Sequence, residues 1–241
     1  MAVSRVQIMR FRVKKNLTEI CHKVSVLAKE YFQYKKGRFV QDAYIGNWTQ
    51  QSHLSVEHLT SMRGLNSRFL DLAGNGLLAP GLAQQVACLS PAQRISAANC
   101  PYALFDLRFA DDGYWRGRLR AIGAWRIADD PKVDADIVDF VRLALFYTWH
   151  VASSAGLAAH LLLGMHGNTA EAFRDIAVDA LPALALAEAA NLTARWSACN
   201  SYWTALISAA ARPDPAALRR VQLSGLQLAA AAQLPSEPRE V

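Results

Sequence analysis

The stretch "CPYALFDLRFADDGYW", residues 100–115, and the stretch "LTARWSACNSYW", residues 192–203, share one order: an arginine beside an aromatic, a short polar run, then Tyr-Trp. With Arg195 set on Arg108 the offset is 87 residues, which also places Ala185 on Ala98, Ala170 on Ala83 and Trp196 on Phe109. One further residue on, Tyr202 and Trp203 fall on Tyr114 and Trp115. An offset that carries helix starts and corner residues together is the mark of an internal duplication. Each phrase is therefore expected to close one of two related helical units.

The segments outside the two phrases read as helices. Leu59, Met62, Leu65, Phe69 and Leu72 form one stripe, stopped by Gly74-Asn75-Gly76. A short helix over "GLAQQVACL" follows, and "SPAQ" then offers Ser90 as N-cap, Pro91 at the first helical position and Gln93 as the capping-box partner. Asp111-Asp112 is expected to cap the run "YWRGRLRAIGAW". In the second half Asp130-Pro131 opens a long helix, Gly156 permits a break, and "LAAHLLLGM" ends near Gly164. Asn168 with Glu171 is read as a capping box and Asp179 as the cap of "ALPALALAEAA". The expected organisation is all-α: a basic amphipathic helix and connector over 1–52, a first helical unit over 53–128, a second over 129–234, and a tail over 235–241.

A chain of 241 residues that is 52% hydrophobic and 19% charged has the composition of a folded protein rather than a disordered one. Cys21, Cys88, Cys100 and Cys199 lie far apart with no CxxC pair, which points away from a disulfide framework or zinc knuckle and towards a reducing, cytoplasmic setting. Charge is uneven: residues 1–40 hold ten Lys or Arg against Glu19 and Glu30, a net of +8 in a chain of net +6. Asn16 is placed to cap a helix there, with Ile20, Val24, Leu27 and Tyr31 on one face and lysines between them. Such an arm suits phosphate, because each cation set against DNA releases a condensed counterion. Arg10, Arg12, Lys14, Lys15, Lys23, Lys29, Lys35, Lys36 and Arg38 are the candidate nucleic-acid contacts.

The order of long helix, Leu163-Gly164-Met165, Ala170, a helix with Leu184-Ala185, and Arg195-Trp196 resembles the flagellar master-regulator subunit FlhD. In the first unit Leu89, Ser90, Gln93, Ala98, Arg108 and Phe109 fit the same pattern. The likeness covers residues 55–110 and 139–197, and it departs from the family in the tandem units, the shifted proline of the helix start and the basic N-terminal segment. That family is small, all-helical and dimeric, and it pairs with FlhC to activate bacterial promoters. The resemblance implies a dimer written in one chain: a transcription regulator acting on DNA with an FlhC-like partner subunit, with room for a homo-oligomer, and with no cofactor or metal. Arg108 and Arg195, each at a corner, are the candidate partner contacts. The alternative is a helical protein–protein adaptor with no DNA contact.

No enzyme is legible. His160 and His166 stand six residues apart, on different faces of a helix, and lack a completing carboxylate or cysteine. Cys21-His22 are neighbours that point about 100° apart on a helix. There is no glycine-rich phosphate loop and no GxSxG. Residues 143–165 carry no Asp, Glu, Lys or Arg over 23 positions, a length that spans a bilayer, but His150, His160 and Gly156 interrupt them. They are expected to form a buried helical hairpin.

Overall fold

The computed structural model describes residues 55–121 and 134–232. The expected basic helix, its connector and the nine candidate nucleic-acid residues lie outside that range, as does the tail.

Ser55 and Ser90 begin their helices as capping boxes, with the first turn's amide hydrogens turned onto their hydroxyls. The first half runs α1 (Val56–Asp71), a π-turn (Ala73–Leu77), α2 (Pro80–Ala87), α3 (Pro91–Ala98), β1 (Phe105–Asp106) and α4 (Asp112–Arg120). The second half runs α5 (Ala135–Ser154), α6 (Gly156–Leu163), α7 (Gly167–Arg174), α8 (Leu181–Glu188), β2 (Thr193–Ala194) and α9 (Asn200–Ala210), followed by α10 (Pro215–Ala231). Short 3-10 turns precede and follow α8. Among the described residues the architecture is all-α apart from one two-stranded ladder.

Several expected caps differ. Asp134 caps α5 through the amide of Asp136, and the expected opening at Asp130-Pro131 lies outside the described residues. α7 begins at His166 without a side-chain cap, so Asn168 and Glu171 form no capping box. Asp179 sits inside a 3-10 turn, and α8 likewise starts without a side-chain cap. Both helices are held by burial instead: Thr169, Ala170 and Phe173 face inward on α7, and Leu181, Leu184 and Ala185 on α8. The uncharged run 143–165 is broken at Ala155 between α5 and α6. No helix among the described residues is long and apolar enough to cross a membrane.

The two halves share one core. α1 packs on α5, α3 on α1, and α8 on α5. Each closing helix then crosses over: α4 packs on α7 of the second half, and α9 packs on α2 and α3 of the first. Trp115 on α4 therefore meets Phe173, ring centroids 4.7 Å apart, and Trp203 on α9 reaches Phe69 at 6.3 Å. Both tryptophans are 0% exposed.

The register of the repeat is 88 residues at the left-handed turns, the ladder, the corners and the closing helices, while α2 and α7, of equal length, stand 87 apart. Among the described residues the left-handed backbone positions are Gly76 and Gly164, and Arg108 and Trp196; each pair stands 88 apart. The starts of α4 and α9, at Asp112 and Asn200, keep the same spacing. So do two indole bonds: Trp115 Nε1 donates to Leu107 O at 3.1 Å, and Trp203 Nε1 to Arg195 O at 3.0 Å. In the ladder Phe105 pairs with Ala194 and Asp106 with Thr193, and a shift by 88 exchanges these two rungs. The halves are thus related as by a two-fold axis through the ladder. Arg195 occupies the place of Leu107, and Arg108 that of Trp196, so the two corner arginines are not equivalents.

Replacing Trp115 or Trp203 by Ala is expected to cost about 3–5 kcal/mol each, because both rings are enclosed and link the halves. Denaturant unfolding checks this; a loss at one position only would contradict the shared core.

Candidate functional site at the paired corners

Between α3 and α4, and between α8 and α9, the chain runs through buried irregular backbone, which needs hydrogen-bond partners in place of water. Asn66, fully buried on α1, serves the first corner. Its Nδ2 donates to Tyr102 O at 2.9 Å, with longer contacts to the carbonyls of Ala98 and Cys100, and its Oδ1 accepts from Leu104 N at 2.9 Å. The corners also serve each other, through the ladder and through Arg195 N donating to Leu104 O at 2.9 Å.

Arg195 is 7% exposed. Its Nη1 donates to Leu162 O at 3.1 Å, in the last turn of α6, and its guanidinium lies over the Trp196 ring at 4.7 Å. A cation on the last-turn carbonyls meets the negative end of the helix dipole. Burial pushes the guanidinium down from its usual pKa, with Asp106 opposing. Gly164 ends α6 at φ 76°, and a Cβ there would overlap the Arg195 guanidinium, so glycine is required twice over. Arg195 is thus an interior strut on a helix-end carbonyl rather than an exposed group like Arg108. An arginine beside a tryptophan reads alike in the sequence whether it faces out or caps a buried helix end.

Arg108 is on the surface, its side chain 48% exposed. Its Nη2 donates to Asp111 Oδ2 at 2.6 Å, and its guanidinium lies 4.2 Å over the Tyr114 ring. The Tyr114 N–H and Arg108 together hold the Asp111 carboxyl below its usual pKa, while Asp111 caps α4.

Beneath Arg108 lies a polar cluster around Glu188, which is 0% exposed. Tyr114 Oη donates to Glu188 Oε2 at 2.5 Å, Arg118 Nε to Oε1 at 2.5 Å, and Asn191 Nδ2 to Oε2 at 2.9 Å. Arg118 also donates to Ala187 O at 3.2 Å. The carboxylate is thus fully engaged. Burial and Glu188 push the Tyr114 phenol up to about 12. This cluster, missed in the sequence, joins α4 to α8; the available signal was a lone Glu in the apolar run "ALALAEAAN".

Eighty-eight residues away the twin cluster has different chemistry, with Cys100 in place of Glu188 and Tyr202 in place of Tyr114. Burial pushes the Cys100 thiol up to about 12, against the Tyr102 and Tyr202 hydroxyls, and burial also raises both phenols. Tyr102 and Tyr202 share a hydrogen bond of 2.9 Å, and Tyr102 also donates to Gln222 O of α10 at 3.0 Å. A Cβ at Gly225 would overlap the Tyr102 hydroxyl, so a glycine lets α10 settle there. At neutral pH this cluster holds a protonated thiol and neutral phenols, which serve packing rather than nucleophilic attack.

No group of three His, Cys, Asp or Glu among the described residues is placed to hold a metal. His160 Nδ1 lies 2.6 Å from Met165 O, and burial lowers its pKa. Fold and corners define an all-α protein built on an internal two-fold, with one surface corner arginine and one buried one. No family model, curated protein or solved structure matches the chain.

Arg195→Ala is expected to cost about 2–3 kcal/mol, the scale of a buried charge-assisted hydrogen bond. Arg108→Ala should cost less than about 1 kcal/mol, as exposed ion pairs do. Melting the two variants side by side checks the assignment; equal losses would contradict it.

Proposed function

We propose that the protein is a non-enzymatic bacterial transcription regulator similar to FlhD, acting on DNA together with an FlhC-like partner subunit. The observation that carries the reading is the internal two-fold: one chain supplies both halves of a helical platform of the kind that the resemblance implies as a dimer. Its Lys and Arg at 10, 12, 14, 15, 23, 29, 35, 36 and 38 are the DNA contacts in this reading, and Arg108 is the partner contact.

The charge of the helical body supports this division of labour. Arg94, Arg108, Arg116 and Arg142 pair with Asp71, Asp111, Asp112 and Asp139 at 2.6 to 2.9 Å. These four cations, already held by carboxylates, release few counterions to DNA. With +8 in residues 1–40 of a chain of net +6, residues 41–241 carry a net of −2, so the reading puts the weight of phosphate binding on the N-terminal segment. The same pairing favours the second reading, an adaptor without DNA contact, if the N-terminal cations serve another purpose.

One experiment separates the two. The chain is co-purified with a candidate FlhC-like subunit, and DNA binding is followed against salt for the wild type and for a variant with Lys14, Lys15, Lys35 and Lys36 replaced by Gln. The regulator reading expects weaker binding on every DNA sequence and a salt slope shallower by about 3–4, close to one per lost phosphate contact. Unchanged slope and affinity remove the arm from the mechanism, and absence of any DNA shift from the co-purified complex leaves the adaptor. Arg108→Glu is expected to abolish co-purification while leaving the melting temperature in place.

A further inference from the structure

At the start of α1 the His58 ring stands where a glutamine or glutamate completes a capping box. His58 N–H donates to Ser55 Oγ at 3.1 Å, and Ser55 N–H donates to His58 Nδ1 at 3.3 Å. Because Nδ1 accepts, the ring carries its proton on Nε2. Nε2 faces Ser154 Oγ at 3.4 Å, and the Ser154 hydroxyl donates to His150 O at 2.7 Å, which leaves its oxygen free to accept from the ring. Tyr147 Oη donates to the His58 carbonyl at 2.9 Å. One imidazole thus ties the first turn of α1 to the end of α5, and the neutral form with its proton on Nε2 is the form that fits.

Among the described residues the groups facing this ring are few. From α5 come the Ser154 and Tyr147 hydroxyls and the His150 ring, its centroid 5.6 Å away; from α1 itself comes the Glu57 carboxylate. The positive end of the α1 dipole lies at the same place. Burial, then His150, hold the His58 pKa below its ordinary value of 6.5, and Glu57 opposes them.

We propose that His58 is an acid-sensitive latch: a proton taken from solvent onto Nδ1 turns the acceptor of the Ser55 amide into a donor and opens the capping box at the first turn of α1. The latch follows directly in the chain on residues 1–54, whose first 40 hold ten Lys and Arg. A folded pKa below the unfolded one means that the contribution of His58 to stability is complete above 6.5 and is lost as pH falls through 6.5 towards the folded value.

Amide hydrogen exchange of the full chain, corrected for the intrinsic effect of pH, tests the latch at the amides of residues 58–60. Between about pH 7.5 and about pH 5 the wild type is expected to lose protection there about fivefold or more, the scale of a lost helix cap. His58→Gln, which keeps a capping-box acceptor that gains no proton, is expected to retain its protection, and His160→Gln to behave as the wild type. An equal loss in His58→Gln overturns the proposal. Imidazole 15N signals of the wild-type protein give a second reading that needs no variant: Nδ1 of His58 must be unprotonated at about pH 7.5. A ring protonated on Nδ1 there, or one that titrates while protection of residues 58–60 stays constant, equally overturns it.

Discussion

Buried backbone that is neither helix nor extended sheet is the constraint around which this fold is arranged. Residues 99–109 and 192–196 pass through the interior, and a buried peptide group without a partner costs on the order of 1–3 kcal/mol. The two segments meet the need jointly, through the ladder between Phe105–Asp106 and Thr193–Ala194, and through Asn66 and Arg195 at its ends. Leu162 O is a junction of this network, accepting from Ala103 N at 2.8 Å in the first half and from Arg195 Nη1 at 3.1 Å in the second. Neither half can satisfy its corner alone, and so the halves are one body.

The symmetry is kept in the backbone and broken in the side chains. Left-handed turns, helix starts and indole bonds recur at the same spacing, while Glu188 stands opposite Cys100 and Arg195 opposite Leu107. Each exchange changes what covers the site. The Tyr114–Glu188–Arg118 cluster is polar and half open beneath Arg108, whereas the Cys100–Tyr102–Tyr202 cluster is sealed by α10 through Gln222 and Gly225. A duplicated scaffold thus presents two different faces, one of them carrying the surface arginine on which the proposed partner contact rests.

Much was legible in the sequence because it depends on neighbours in the chain. The Ser90 box, the Asp111 cap, the stops at Gly76 and Gly164 and the apolar stripe of Leu59, Met62, Leu65 and Phe69 are short-range features, and the structure has them all. The recurrence of the Tyr-Trp phrase was also readable, since equivalent rings must fill equivalent holes. The errors arose where like letters serve unlike ends. Arg195 was matched to Arg108 by identity, although the backbone matches Arg108 to Trp196, and the caps assigned to Asn168 and Asp179 lost to helix starts set by burial.

The sequence by itself determined most of the helices, the caps at Ser90 and Asp111 and the existence of two related halves, because periodicity, capping and glycine turns act within a few residues. The tertiary structure alone decided the 88-residue register of the corners, the crossing of α4 and α9 to the opposite halves, and the fate of each polar side chain. Whether Arg195 meets solvent or Leu162 O, whether Glu188 finds Arg118, and whether the His58 ring must stay neutral all depend on residues from 33 to 96 positions away, which come together only when the core closes.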